Sequence, residues 1–306
     1  MFLKNIKTTS PLSIVFFIAF ALLFWCLPIF TNKLTAVYAH AFFSAITIFI
    51  LGLLLPLLQS VGLNNLIYEK DVIKKNSLVL APVFLLLGTP FIIQADSWII
   101  SFFLLFYLNI LFSAYQKDRP FSQVFNANFL LAIIALFYSD ILLLFPLFIV
   151  AFLTFRNMSW RSMLISLIGL ALPFLFYWVY TFLLDQTFIF NTPAFKLVSL
   201  SIPTINTLSY AEISWFSIVI VILLLSFLEL VFWMYKKSIR SRKSFFIILA
   251  YFILLLFINI DNSHYLLLTP ISIIVANFFV YSKQKRLTEI LFFLFLLASV
   301  YYRISI

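Results

Sequence analysis

The sequence predicts an all-α fold: a polytopic transmembrane helix bundle of about eleven spans, with the N-terminus inside and the C-terminus outside. Three observations carry this reading. Hydrophobic residues make up 65% of the 306-residue chain, charged residues 10%, and the mean hydropathy is +1.16. No soluble domain of that length has enough interior to hide so much apolar surface. The apolar residues also fall into runs of 15 to 23 residues, near the roughly 20 that cross a hydrocarbon core of about 30 Å. Lysine and arginine, finally, collect in alternate turns between those runs, the pattern that sets orientation in a membrane.

Each element has its own justification. Met1 to Ser10 is a short basic leader with Lys4 and Lys7. The first run, about Pro11 to Phe30, is too long for a signal-peptide core and lacks a small-residue cleavage site, which predicts a retained helix. The second, about Ala36 to Leu58, leads into a polar segment, Gln59 to Ser77, that carries Lys70, Lys74 and Lys75. Leu63, Leu66 and Ile67 within that segment predict a helix lying on the membrane surface. The third and fourth spans, about Leu78 to Ile93 and Ser97 to Tyr115, are separated by the tight turn Gln94-Ala95-Asp96.

Two runs of 15 residues follow, Val124 to Tyr138 and Ile141 to Phe155, interrupted by Ser139-Asp140. At 1.5 Å per residue each is about 22 Å long, so the pair is a short hairpin, spanning or re-entrant, with one carboxylate at its tip. The seventh span is about Met163 to Leu184. Asp185 to Glu212, 28 residues, is the longest non-helical stretch; Phe188, Phe190, Phe195 and Leu197 within it predict a shelf in the membrane interface. The remaining spans are about Ile213 to Tyr235, Ser244 to Ile260, Tyr265 to Tyr281 and Leu287 to Tyr302. No repeat or low-complexity linker divides the chain, which predicts one membrane domain over residues 1–306.

Charge sets the orientation. With the N-terminus inside, 17 of the 20 basic residues fall on the inner face, five of them in the turn Lys236 to Lys243. The outer face keeps Lys33, Lys196 and Arg303. This is the positive-inside pattern. It also removes the nucleic-acid reading that a net charge of +10 would invite in a soluble chain. The single cysteine, Cys26, excludes an internal disulfide and a cysteine metal cluster.

The chemistry-bearing residues are few. Asp96, Asp140, Asp185, Glu212 and Asp261 fall at the outer face, as do both histidines, His40 and His264. The simplest role for Asp96, Asp140, Glu212 and Asp261 is capping, since each stands before an inward-running helix, where an acid meets free amides and the positive end of the dipole. Glu229 alone lies within a span; an ionisable group there marks a functional site or snorkels toward Lys236 or Lys237. Asn126 and Asn128 are expected to bond to neighbouring helices. Neither a Walker loop, a zincin pair, a CxxC nor a nucleophile elbow is present in the sequence.

Over residues 60 to 185 the order of parts resembles the membrane core of polyprenol-phosphate-sugar-dependent glycosyltransferases of the GT-C type. The matching pieces are the surface segment Gln59 to Ser77, LLGTPFIIQADSWIISFFLLF with Asp96 in its turn, NANFLLAIIALFYSDILLLFPLFIVAFL, and SLIGLALPFLFYWVY. The sequence departs from that pattern in its first outer loop, Thr31 to Thr35, which is short and has no acid. The chain also resembles an uncharacterised family of small bacterial polytopic inner-membrane proteins. The GT-C resemblance implies a lipid-linked, polyprenyl-type donor. It makes Asp96 the candidate catalytic acid, with Asp140, Asp261 and His264 as candidate helpers, and leaves cofactor and metal open.

Three functional classes follow. The first is a protein that binds or processes a lipid-linked envelope precursor on the outer face, as a transferase or without catalysis. The second is a small transporter or flippase, for which Glu229 and the helix-interrupting Pro56, Pro90, Pro146 and Pro173 are the relevant features. The third is a non-enzymatic subunit of an envelope complex. The partners implied are membrane lipids, a polyprenyl-linked sugar and other envelope membrane proteins.

Overall fold

A computed structural model describes residues 11–30, 45–91, 95–185, 209–258 and 263–305. The described residues form eleven α-helices and two 3-10 segments, with no strand among them. In chain order the helices are α1 (Pro11–Phe30), α2 (Ala45–Glu69), α3 (Leu80–Leu87), α4 (Ala95–Ser113), α5 (Phe121–Phe137), α6 (Phe145–Phe155), α7 (Trp160–Leu183), α8 (Tyr210–Met234), α9 (Ile239–Leu255), α10 (Leu268–Tyr281) and α11 (Lys285–Ser305). The 3-10 segments are Ser139–Leu144 and Ser263–Leu267.

Among the described residues, six segments are long and apolar enough to cross a membrane: Phe49–Glu69, Asp96–Ser113, Trp160–Leu183, Tyr210–Phe232, His264–Tyr281 and Lys285–Ser305. Ser13–Leu27, Phe121–Phe137 and Ser139–Phe155 are apolar but shorter. The faces of these helices mark a membrane protein. On α7 the buried positions are Ser162, Ser166, Gly169, Pro173 and Thr181, while Leu167, Ile168, Leu175 and Phe176 are more than half exposed. Small residues turned inward and bulky apolar ones outward is the arrangement lipid favours, because close packing rather than water exclusion holds such helices together.

The chain gathers into two compact units, each assembled from separated segments. The first holds α1, α2, α3, the start of α4 as far as Ile99, α8, α10 and α11. Its centre is α10, with 12 of 14 residues buried, and α3, with all eight buried. A helix apolar on every side belongs in an interior. Helix α10 packs on α8 and α3, and α11 lies against α8, α1 and α3.

The second unit holds α4 from Ile100, α5, α6, α7, α9 and both 3-10 segments. Its densest pairing is α5 on α7, brought close by Gly169: a Cβ there would lie 2.8 Å from the Phe125 carbonyl oxygen. The short hairpin is present as α5, the 3-10 segment and α6, with Asp140 in the first turn of the 3-10 segment.

Four expectations need correction. No separate surface helix begins at Gln59, because α2 continues unbroken to Glu69. Leu63, Leu66 and Ile67 are buried in protein, and Gln59 is hidden because its Nε2 donates to the Trp98 carbonyl. The third span is cut to eight residues. Gly88 ends it, Thr89 Oγ1 donates back to the Leu86 carbonyl, and Pro90 disfavours helical geometry in the residue before it. The turn after α8 is shorter than expected, since Arg240, Arg242 and Lys243 already belong to α9. Asn128 does not bond to a neighbouring helix: its Nδ2 donates to the Val124 carbonyl of its own helix at 2.8 Å, and Asn126 is exposed. The interfacial shelf, His40, Asp261 and the first outer loop lie outside the described residues.

Candidate functional site

The carboxylates that the charge pattern assigns to the outer face do their local work in different ways. Ser209 and Glu212 form a reciprocal cap on α8. Glu212 Oε2 accepts from the Ser209 amide at 2.8 Å and from its hydroxyl at 3.1 Å, and Ser209 Oγ accepts from the Glu212 amide at 3.3 Å. This is the capping box, and its S-x-x-E signature is legible in the sequence. Asp96 is exposed in the first turn of α4, one residue inside the helix rather than before it. It faces the positive end of the dipole without standing at the cap position.

Asp140 is half-buried in the first turn of its 3-10 segment and His264 is half-buried in the other 3-10 segment, both in the second unit. Asp96 belongs to the first unit. Among the described residues no group of three or more histidine, cysteine, aspartate or glutamate side chains is placed to hold a metal ion.

The most concentrated chemistry in the first unit is a cluster that sequence reasoning passed over. Arg303, counted above only as an outer-face charge, is 1% exposed. Its guanidinium lies 4.7 Å from the Trp25 ring centroid and 5.1 Å from that of Phe24. Both rings present the negative face of their quadrupole to the cation.

Neighbouring groups hold these rings in place. Trp25 Nε1 donates to the Phe49 carbonyl at 3.1 Å, and its ring meets Trp98 edge to face at 5.8 Å. Gly52 of α2 leaves the space these two indoles occupy. From α8, Trp215 Nε1 donates to Ser299 Oγ, one turn before Arg303 on α11, at 3.2 Å and its ring packs 6.0 Å from Tyr302. Trp98 is fully buried and its Nε1 finds no hydrogen-bond acceptor among the described residues. The signal available in the sequence is the placement of Trp25, Trp98 and Trp215 near span ends; only the packing brings a cation to them.

A second polar cluster occupies the other ends of α8 and α10. Lys237, just past the end of α8, donates to Asn277 Oδ1 and lies 5.0 Å from the Tyr281 ring centroid. Burial pushes its ammonium down to about 7, with Glu229 opposing that shift electrostatically. Glu229 is thus within electrostatic reach of Lys237, one of the two lysines toward which it was expected to snorkel. Tyr281 Oη accepts from the backbone amides of Lys74 at 3.1 Å and Lys75 at 3.3 Å. Three basic turns of this unit thus meet at one end.

The second unit repeats the pattern by itself: Arg240 and Lys243 lie 5.2 and 5.8 Å from the Tyr115 ring, and Asn157 Nδ2 donates to the Ala114 carbonyl at 2.7 Å.

No family model matches this chain, and neither a curated protein nor a solved structure matches it. The functional reading therefore rests on the residues themselves.

Proposed function

We propose that the protein is a GT-C-like polytopic protein of the bacterial inner membrane, N-terminus inside, that binds a lipid-linked envelope precursor at its outer face. The observation that carries this reading is Arg303, a cation buried near the C-terminal end of the last helix and stacked on Trp25 and Phe24. An arginine held at that depth is costly in lipid and is kept where it meets an anion or lines a pathway. Its planar fork suits the phosphate of a polyprenyl-linked compound, and the surrounding indoles suit the apolar chain that carries it. The convergence of basic turns at one end of each unit supports the orientation, since it leaves the opposite ends poor in positive charge. If transfer chemistry accompanies binding, its class is transfer from a polyprenyl-linked donor with Asp96 as the acid.

The test is binding of a polyprenyl phosphate against the uncharged polyprenol, followed by native mass spectrometry on the full chain. The wild type should retain the phosphate and discriminate against the alcohol. Arg303→Gln should lose the discrimination, and Arg303→Lys should recover only part of it, because an ammonium keeps the charge but not the planar stack. Equal retention of alcohol and phosphate by the wild type would remove the reading.

A further inference from the structure

Asn277, in the last turns of α10, is 0% exposed, and its Nδ2 has no hydrogen-bond partner among the described residues. Its Oδ1 is occupied, because the Lys237 ammonium donates to it. A buried carboxamide is ordinarily satisfied on both sides. One held by its oxygen alone calls for a physical reason, and the group bonded to that oxygen supplies it.

Lys237 follows the end of α8 and is half-buried against α10. Its contacts on α10 are uncharged: the Asn277 oxygen and the face of Tyr281, whose centroid is 5.0 Å from Nζ. The ring is held from behind, since Tyr281 Oη accepts from the Lys74 and Lys75 amides. Glu229, about two turns back on α8, acts on the ammonium electrostatically. The other charges on the neighbouring elements are exposed, where solvent screens them. They are Lys74, Lys75 and Lys236 and, at the start of α11, Lys285, Arg286 and Glu289.

An ammonium in such a cage gives up more hydration than a neutral amine would. That loss brings Lys237 down to about 7, against the pull of Glu229. When the proton leaves Nζ for water, the electron pair of the broken N–H bond stays on nitrogen, which becomes an acceptor. A carboxamide turned through a half-circle then presents its NH₂ where its oxygen was, at nearly the same volume. The donor that is unmet beside the ammonium is met beside the amine.

We infer that Lys237 is a proton-binding site of this protein, with Glu229 as its counter-charge and Asn277 as the amide that turns when the proton leaves. The site is independent of the outer-face reading and uses none of its residues. Its ligand is the proton itself, which needs no cavity. Because Tyr281 ties the lysine's cage to the segment leading to α3, arrival of the proton tightens the junction of α8, α10 and that segment.

The experiment uses the full chain in a neutral detergent. Trace acylation with an anhydride, read lysine by lysine by peptide mass spectrometry, follows the neutral fraction of each amine as pH is raised. Lys237 should reach half of its maximal reactivity near pH 7, and the exposed Lys236 near the ordinary value of about 10.4. Glu229→Gln should weaken proton binding at Lys237 roughly five-fold. Asn277→Asp sets a carboxylate against the ammonium and should strengthen it about ten-fold. In protein labelled with ¹⁵N at the asparagine side chains, the carboxamide signal that Asn277→Asp removes should move with pH on the same midpoint as the acylation. Lys237 titrating together with Lys236 would overturn the inference. So would a midpoint unmoved by Glu229→Gln or by Asn277→Asp, or a carboxamide signal that stays constant while Lys237 titrates.

Discussion

Gly52→Ala is the substitution that most directly tests how the Arg303 cluster is held. Helix propensity alone says that this change is stabilising, by about 1 kcal/mol. Packing says the opposite. A Cβ at position 52 would overlap Trp25 Cζ2 outright and lie 2.6 Å from Trp98 Cη2. Trp25 is 5% exposed and Trp98 is 0% exposed, so neither ring has open space into which to swing. Forcing a methyl group into such a core costs about 1–3 kcal/mol. Trp25 must shift, which weakens its bond to the Phe49 carbonyl, worth about 0.5–1.5 kcal/mol. The shift also weakens its stack under Arg303, worth about 0.5–2 kcal/mol.

Set against the propensity gain, the net expectation is a loss of roughly 2 kcal/mol, which lowers the apparent Tm by about 5 °C. The assay is thermal unfolding of the detergent-solubilised protein followed by tryptophan emission. Trp25→Phe removes the atom that is struck, so the double variant should lose less than the two single losses combined. A Gly52→Ala protein as stable as the wild type would refute the reasoning, because propensity would then outweigh the indole contacts.

Four further outcomes are expected. Reporter fusions after Lys75, Arg161, Lys243 and Arg286 should report the cytoplasm and one after Ile306 the outer side; a cytoplasmic C-terminus would mean an even number of spans. Lys237 has its pKa lowered from 10.5 to about 7 by burial, so between those values the unfolded chain binds more protons and stability rises with pH. Below that window both states are protonated and the cost is constant, and Lys237→Met should flatten the rise in apparent Tm between pH 7 and 10. Asn128 is fully buried and its Oδ1 has no hydrogen-bond partner among the described residues; Asn128→Leu should therefore be neutral or stabilising by up to about 1 kcal/mol, read as Tm. Asp96→Asn and Asp96→Ala should each cost only about 0.3–1 kcal/mol through the lost dipole interaction, while abolition of precursor transfer by both would identify a catalytic acid.

The sequence by itself determined that this is a helical membrane protein and located most of its helices. The run Met163 to Leu184, for instance, is α7 at Trp160–Leu183, and the interrupted pair of short runs is the α5–α6 hairpin. This much is legible because a bilayer acts on every residue of a span in the same way, so composition along the chain records depth. What composition does not record is which apolar residue faces lipid and which faces protein, since both are apolar. Gln59 reads as the end of a span; in the structure it lies within α2, satisfied by a carbonyl 39 residues away. Leu80–Leu87 reads as part of a full span and is instead a short interior helix. Arg303 reads as a charge outside the membrane, yet aromatic side chains of α1, nearly the whole chain away, enclose it. Each of these outcomes depends on partners brought together by helix packing, and a one-dimensional pattern of hydropathy carries no information about partners.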